Sequence, residues 1–191
     1  MPHGPDRVID LTLPSQELAR QLIGALLTFD GVGGIVVETE AYDADDPASH
    51  AFSGPTTRNA PMFGPVGRAY VYRSYGLHWC LNIVCGPRPG AAVLFRALEP
   101  TLGLDRMIAR RGLIDPRQLA AGPGRLCQAL GIDATHNGLS MTTPPFRLEP
   151  PPAAVEVIEG PRIGITKAVD QPWRYGLKGS RFLSRPFRSL V

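Results

Sequence analysis

Lysine is nearly missing from this chain of 191 residues: Lys167 and Lys178 are the only two, beside 18 arginines. Cysteine is scarce as well. Cys80, Cys85 and Cys127 are an odd number, too few for a disulfide framework and without the C-x-x-C spacing of a zinc site. No run approaches the ~18 consecutive apolar residues of a membrane-crossing helix. Met1–Asp10 carries Asp6 and Asp10 and lacks the apolar core of a signal peptide, so the expected compartment is the cytoplasm. Common nucleotide and hydrolase signatures are missing too: Gly31-Val-Gly-Gly34 falls short of G-x-G-x-x-G, and no P-loop or G-x-S-x-G elbow occurs. Asp43, Asp45 and Asp46 imitate the start of a calcium loop, but Ala48 and Gly54 stand where glycine and glutamate are required. Neither a metal nor a cofactor is expected.

What is present suits one folded domain over residues 1–191. The chain is 43% hydrophobic with a net charge of +3, which excludes wholesale disorder. That small net charge hides a segregation. Pro47 to Leu98 contains no acid but five arginines (Arg58, Arg68, Arg73, Arg88, Arg96), and Gln171 to Val191 contains no acid but Arg174, Lys178, Arg181, Arg185 and Arg188. Arginine favours bidentate phosphate contacts. Two such segments meeting on one face would bind a polyanion such as nucleic acid, and the alternative is a scatter of solvated side chains.

Periodicity organises the rest. Leu18, Leu22, Leu26 and Phe29 predict a helix from Ser15 to about Phe29, closed by Asp30–Gly31. Residues 34–42 alternate as a strand, with Ile35, Val37 and Thr39 on one face and Val36, Glu38, Glu40 and Tyr42 on the other. Asp43 to Pro65 reads as a long loop, and Ala69 to Val84 as a β-hairpin turning near Tyr75–Gly76. A strand follows at Ala91–Leu98, then helices at Pro100–Arg111 and about Arg125–Leu130, and short strands near Val155–Ile158 and Ile163–Ile165. The order predicts an α+β domain: a largely antiparallel, curved sheet, surrounding short helices and a protruding hairpin.

Two features stand out chemically. Glu38, Glu40 and Tyr42 share one strand face, which fits general acid–base work or, equally, an exposed edge strand. Tyr70, Tyr72, Tyr75, His78 and Trp79 crowd the hairpin among arginines, as stacking surfaces for bases or as ordinary strand formers. Tyr75, at the tip beside Gly76, has nothing of its own to pack against and suits insertion into a partner.

Together these residues resemble the alkyladenine (3-methyladenine) DNA glycosylase family. The likeness runs in order through Val37-Glu-Thr-Glu-Ala-Tyr42, Ala48-Ser-His50, Arg58-Asn59, Tyr70-Val-Tyr72, Tyr75-Gly76 and Cys80-Leu-Asn82. It continues through Leu94-Phe-Arg-Ala-Leu-Glu-Pro100, Ala121-Gly-Pro-Gly-Arg-Leu-Cys-Gln-Ala-Leu130 and Arg162-Ile-Gly164. The resemblance implies that Glu40 activates the attacking water, held also by Arg96 and by the main-chain carbonyl of Ile163. It places the flipped base between Tyr42 on one side and Tyr72 with His50 on the other. Asn82 would test the purine edge and discourage guanine, and Tyr75 would be the wedge that fills the vacated stack. The family is monofunctional and acts on duplex DNA containing alkylated or deaminated purines. A minimal, bacterial-type member is implied: a cytoplasmic, nucleoid-associated monomer without a membrane or an obligate protein partner.

That chemistry agrees with the residues. A glycosylase must extrude its base at a cost of a few kcal/mol, phosphate contacts supply sequence-independent affinity, and a cationic alkylpurine is attracted to tyrosine faces. Two alternatives are a non-catalytic binder of damaged DNA and a hydrolase of free nucleosides. A carboxylate at Glu40 would only weaken the first, and the second has no use for acid-free arginine segments.

Overall fold

The fold is shaped by two tight hairpins and one long, bent strand. The computed structural model describes residues 8–187. Arg188, and most of the stretch read for a leader, therefore lie outside the described residues.

The first helix, α1 (Ser15–Gln21), is shorter than its periodicity predicts. Leu18 and Leu22 are buried as expected, but Leu26–Phe29 is a strand, β1, which turns directly into β2 (Val32–Tyr42). Asp30 and Gly31 form the turn with φ of 49° and 73°, and Phe29 pairs with Val32. Positive φ at both central residues is the geometry whose twist matches paired strands, so Asp-Gly here marks a hairpin and not a helix end.

Strand β2 lies inside the sheet. One side pairs with β5 (Ala91–Leu102); the other pairs first with β1 and then, opposite Glu38–Glu40, with β8 (Arg174–Leu177). The edge-strand reading of Glu38 and Glu40 is thereby excluded. Register shifts between Val36 and Thr39 break the expected alternation, so Val36 and Ala41 share the main core although they differ in parity. Such bulges bend and twist a strand, and this one turns Glu38, Glu40 and Tyr42 away from the core.

With β3 (Ala69–Ser74), β4 (His78–Cys85) and β6 (Phe146–Glu149), the order is β3-β4-β5-β2-β1-β6, and β7 (Val157–Gly160) joins through β8. All pairings are antiparallel. The expected strand at 163–165 does not form; that stretch is irregular. Helix α2 (Leu104–Arg111) begins after Gly103 because Pro100–Leu102 still belong to β5, and α3 (Pro116–Leu119) and α4 (Pro123–Leu130) follow. The result is the expected α+β domain with a curved antiparallel sheet.

Parity divides the two faces. Ala69, Val71, Leu81, Ile83, Val93 and Phe95 pack into the main core with α1, α2 and α4. Their even-numbered neighbours point the other way, where Tyr70, Val84 and Ala92 join Ala51 and Met62 in a smaller cluster. That cluster fastens the long 43–65 loop to the sheet. No helix among the described residues is long and apolar enough to cross a membrane.

Candidate active site

On this second face, Tyr72, Asn82 and Arg96 from three adjacent strands join Glu40 and Tyr42 of β2. The 43–65 loop adds His50, and the segment before β8 adds Ile163. They border a cavity of about 730 Å³ that extends to Tyr75, so all eight residues to which the family resemblance gives a role line one cavity.

Glu40 is fully buried and fixed through both oxygens. The Tyr42 hydroxyl donates to Oε2 at 2.8 Å, the Ile163 amide donates to Oε1 at 2.7 Å, and an Arg96 guanidinium nitrogen stands 3.3 Å from Oε1. The expectation for Ile163 concerns its carbonyl, whereas its contact with Glu40 is through the N–H. Burial, with the neighbouring Glu40 charge and hydrogen bond, pushes the Tyr42 phenol well above its ordinary pKa, so the hydroxyl stays a neutral donor.

Arg96 is oriented from behind by Glu38. Its Nε donates to Glu38 Oε1 at 3.0 Å, and that oxygen also accepts from Arg174 Nε at 2.7 Å and from the Ser184 hydroxyl at 2.8 Å. Burial opposes the Arg96 charge, but Glu40 and Glu38 together outweigh it and raise its pKa above the usual arginine value. In the sequence Arg174 stands out only as a cation of the acid-free 171–191 stretch, and Ser184 not at all. Nothing local in the sequence points to this cluster.

The opposite wall is aromatic. His50 meets Tyr72 edge-on at 4.5 Å between ring centroids, and Tyr72 stacks on Tyr70 at 5.3 Å. His50 Nδ1 lies 3.0 Å from the Tyr70 hydroxyl, and Asn59 holds the loop by donating to the His50 carbonyl at 2.8 Å. Asn82 is buried and donates to the Tyr70 carbonyl at 3.0 Å. Burial, then repulsion from Arg58, holds the His50 pKa below its ordinary 6.5, so the ring is neutral at pH 7. The native state therefore takes up this proton less readily than the unfolded chain. The His50 contribution to stability is complete above about pH 6.5 and lost as the pH falls below it. Replacing His50 with Gln should flatten this limb in urea unfolding between about pH 7 and pH 5; an unchanged limb would assign it to another group.

The hairpin ends in a two-residue turn. Tyr75 and Gly76 have φ of 50° and 67°, and Leu77 N–H donates to the Ser74 carbonyl at 2.9 Å. Tyr75 is 86% exposed and Leu77 70%. A large aromatic held in the left-handed region and pointed at solvent gains nothing from the fold itself.

Several cations of the acid-free segments have acidic partners within the chain. Arg96 and Arg174 are buried on Glu38, Arg88 pairs with Asp45, and Lys178 pairs with Glu156. Arg96 and Arg174 are thereby turned inward, whereas the Arg88 and Lys178 pairs lie at the surface. Arg58, Arg73 and Arg185 remain at the cavity border. Among the described residues, no group of three or more His, Cys, Asp or Glu side chains is arranged to hold a metal ion.

The profile of the methylpurine-DNA glycosylase family matches residues 10–181, from the entry to α1 to beyond β8. The chain belongs to this family. Among its relatives, a protein of Nitrosospira multiformis, provisionally named a 3-methyladenine DNA glycosylase, is 64% identical over 181 residues, covering 94% of each chain. A protein of Granulibacter bethesdensis with the same provisional name is 58% identical, covering 90% of this chain and 88% of its own. A third, from Agrobacterium fabrum, is 55% identical over the same two shares. Membership in the methylpurine-DNA glycosylase family also carries the enzyme class expected from the sequence, an N-glycosyl hydrolase of DNA.

Proposed function

We propose that the chain, as one domain, is a monofunctional base-excision glycosylase of the cytoplasm and nucleoid, acting as a monomer without metal or cofactor. It extrudes an alkylated or deaminated purine from duplex DNA and hydrolyses its N-glycosidic bond. The observation that carries this reading is Glu40: a buried carboxylate, gripped by Tyr42, Ile163 and Arg96, opening into an aromatic-walled cavity.

In this mechanism the extruded purine lies between Tyr42 and the Tyr72–His50 wall, and Asn82 excludes the guanine amino group. Arg96 and the Ile163 carbonyl help Glu40 hold a water. The C1′–N bond breaks, its electron pair leaves with the purine, and an oxocarbenium-like centre develops on the sugar. Water oxygen bonds to C1′ while Glu40 takes the proton, leaving an abasic site. An already cationic purine leaves without acid assistance. Arg58, Arg73 and Arg185 supply the phosphate contacts at the rim.

Incubation with an alkylated duplex and with the same alkylated nucleoside tests the proposal. Free base is expected from the duplex, with the strand unbroken, and none from the nucleoside. Release from the nucleoside alone would point to a nucleoside hydrolase, and lesion binding without release to the non-catalytic binder.

Tyr75 makes a separate prediction. Base stacking is worth about 1–3 kcal/mol, so Tyr75→Ala should lower excision roughly ten- to hundredfold. The loss should be larger for hypoxanthine in a stable pair than in a mismatch, where extrusion is easier. Melting temperature should barely change, because the side chain is exposed. A large melting shift with no dependence on pairing would remove Tyr75 from the DNA interface.

A further inference from the structure

Behind Tyr42 lies a second charged pair that the mechanism above does not use. The Arg162 guanidinium stands 4.7 Å from the centroid of the Tyr42 ring and 5.1 Å from that of Trp173. Arg162 and Asp46 form an ion pair whose side chains are both 0% exposed. One Arg162 nitrogen also donates to the Ala41 carbonyl at 2.9 Å, and another to Asp46 Oδ1 at 3.0 Å and to Gln171 at 3.3 Å. Its Nε is buried with no hydrogen-bond partner. Tyr42 borders the cavity, whereas Arg162, Asp46 and Trp173 do not, so the guanidinium covers the ring face turned away from the cavity.

That arrangement has an electrostatic consequence. A cation on one face of an aromatic ring competes with a cation on the other, both through the ring quadrupole and by direct repulsion. A purine stacked on the cavity face would sit on the order of 8 Å from the guanidinium, within a poorly screened interior. Uncompensated, Arg162 would disfavour a positively charged base and leave a neutral one untouched. Asp46 cancels that charge in a fully buried ion pair, while its Oδ1 also accepts from the Ala48 amide at 3.0 Å.

We infer that the Asp46–Arg162 pair sets the selectivity between cationic and neutral lesions, by keeping the rear face of Tyr42 electrically balanced. The inference rests on the proposed function, in which the lesion base stacks on Tyr42. Both residues are specificity determinants acting through that ring.

The test is a charge cycle read by binding, in a Glu40→Gln background that leaves the lesion intact. Affinity is measured for duplexes carrying 3-methyladenine, which is cationic and lacks the guanine amino group, or hypoxanthine, which is neutral. Asp46→Asn leaves an unpaired cation and should lower the 3-methyladenine-to-hypoxanthine ratio roughly tenfold. Arg162→Gln leaves an unpaired anion and should raise it by a similar factor. The double variant restores balance, and its ratio should return to within a few-fold of the parent even if both affinities fall. Should Asp46→Asn fail to fold, Arg162→Gln and the double variant decide alone. A purely structural role would weaken both lesions in proportion in every variant, and ratios that stay constant or move in one direction would overturn the inference. A parent that binds neither lesion in preference to undamaged duplex would instead contradict the glycosylase reading itself.

Discussion

Glu40→Gln should bind lesion-containing duplex as the parent does and lose single-turnover excision by about 10²–10⁴-fold, the usual contribution of a general base. The geometry makes this a clean substitution. Glutamine can leave its carbonyl oxygen toward the Ile163 amide and Arg96, where Oε1 now accepts. Its NH₂ then faces the Tyr42 hydroxyl, which can rotate from donor to acceptor. Shape and hydrogen bonds therefore survive while the capacity to take a proton is lost. Excision within a few-fold of wild type would mean that another group activates the water.

Glu38→Gln should behave differently, and its main effect should be on stability. Glu38 is a fully buried carboxylate shared by Arg96 and Arg174, themselves only 8% and 4% exposed at the side chain. Removing its charge leaves Arg174 without a carboxylate partner and Arg96 with Glu40 alone. Breaking a buried ion pair from one side costs about 3–5 kcal/mol, which for a domain of this size lowers the melting temperature by roughly 6–20 °C. Excision should also fall, because Arg96 loses the contact that orients it, but by less than in Glu40→Gln. Calorimetry and single-turnover assays on both variants separate the roles. A melting shift of a degree or two would show that the guanidiniums do not depend on Glu38, and a larger catalytic loss than in Glu40→Gln would exchange the two carboxylates.

The parts of this fold legible in the sequence are those encoded locally. The β3–β4 hairpin could be read because Tyr75–Gly76 sits between two alternating runs, and the strand carrying Glu40 because its β-branched residues do the same. The helical spacing overshoots the end of α1 at Gln21 because Leu26-Leu27-Thr28-Phe29, a strand, continues it by coincidence. Short apolar runs fit either structure, and only the Asp30–Gly31 dipeptide signals the hairpin. The site residues were legible through family resemblance, since nothing in the spacing of Glu40, Tyr72, Asn82 and Ile163 requires that they meet. Least legible was the fate of charge. Arg96 and Arg174 look like part of a phosphate-binding face, yet both turn inward to Glu38 across separations of 58 and 136 residues. Long-range pairing of that kind leaves no periodic trace.

Chemical rescue tests the central claim, that the Glu40 carboxylate takes the water's proton. Glu40→Ala and Glu38→Ala would each be assayed for single-turnover excision with increasing formate, a small carboxylate able to enter the cavity. Formate should restore excision to Glu40→Ala in a concentration-dependent way, because the space left beside Tyr42, Ile163 and Arg96 is that of the missing base, and should leave Glu38→Ala unchanged. Rescue of Glu38→Ala with none for Glu40→Ala would contradict the account.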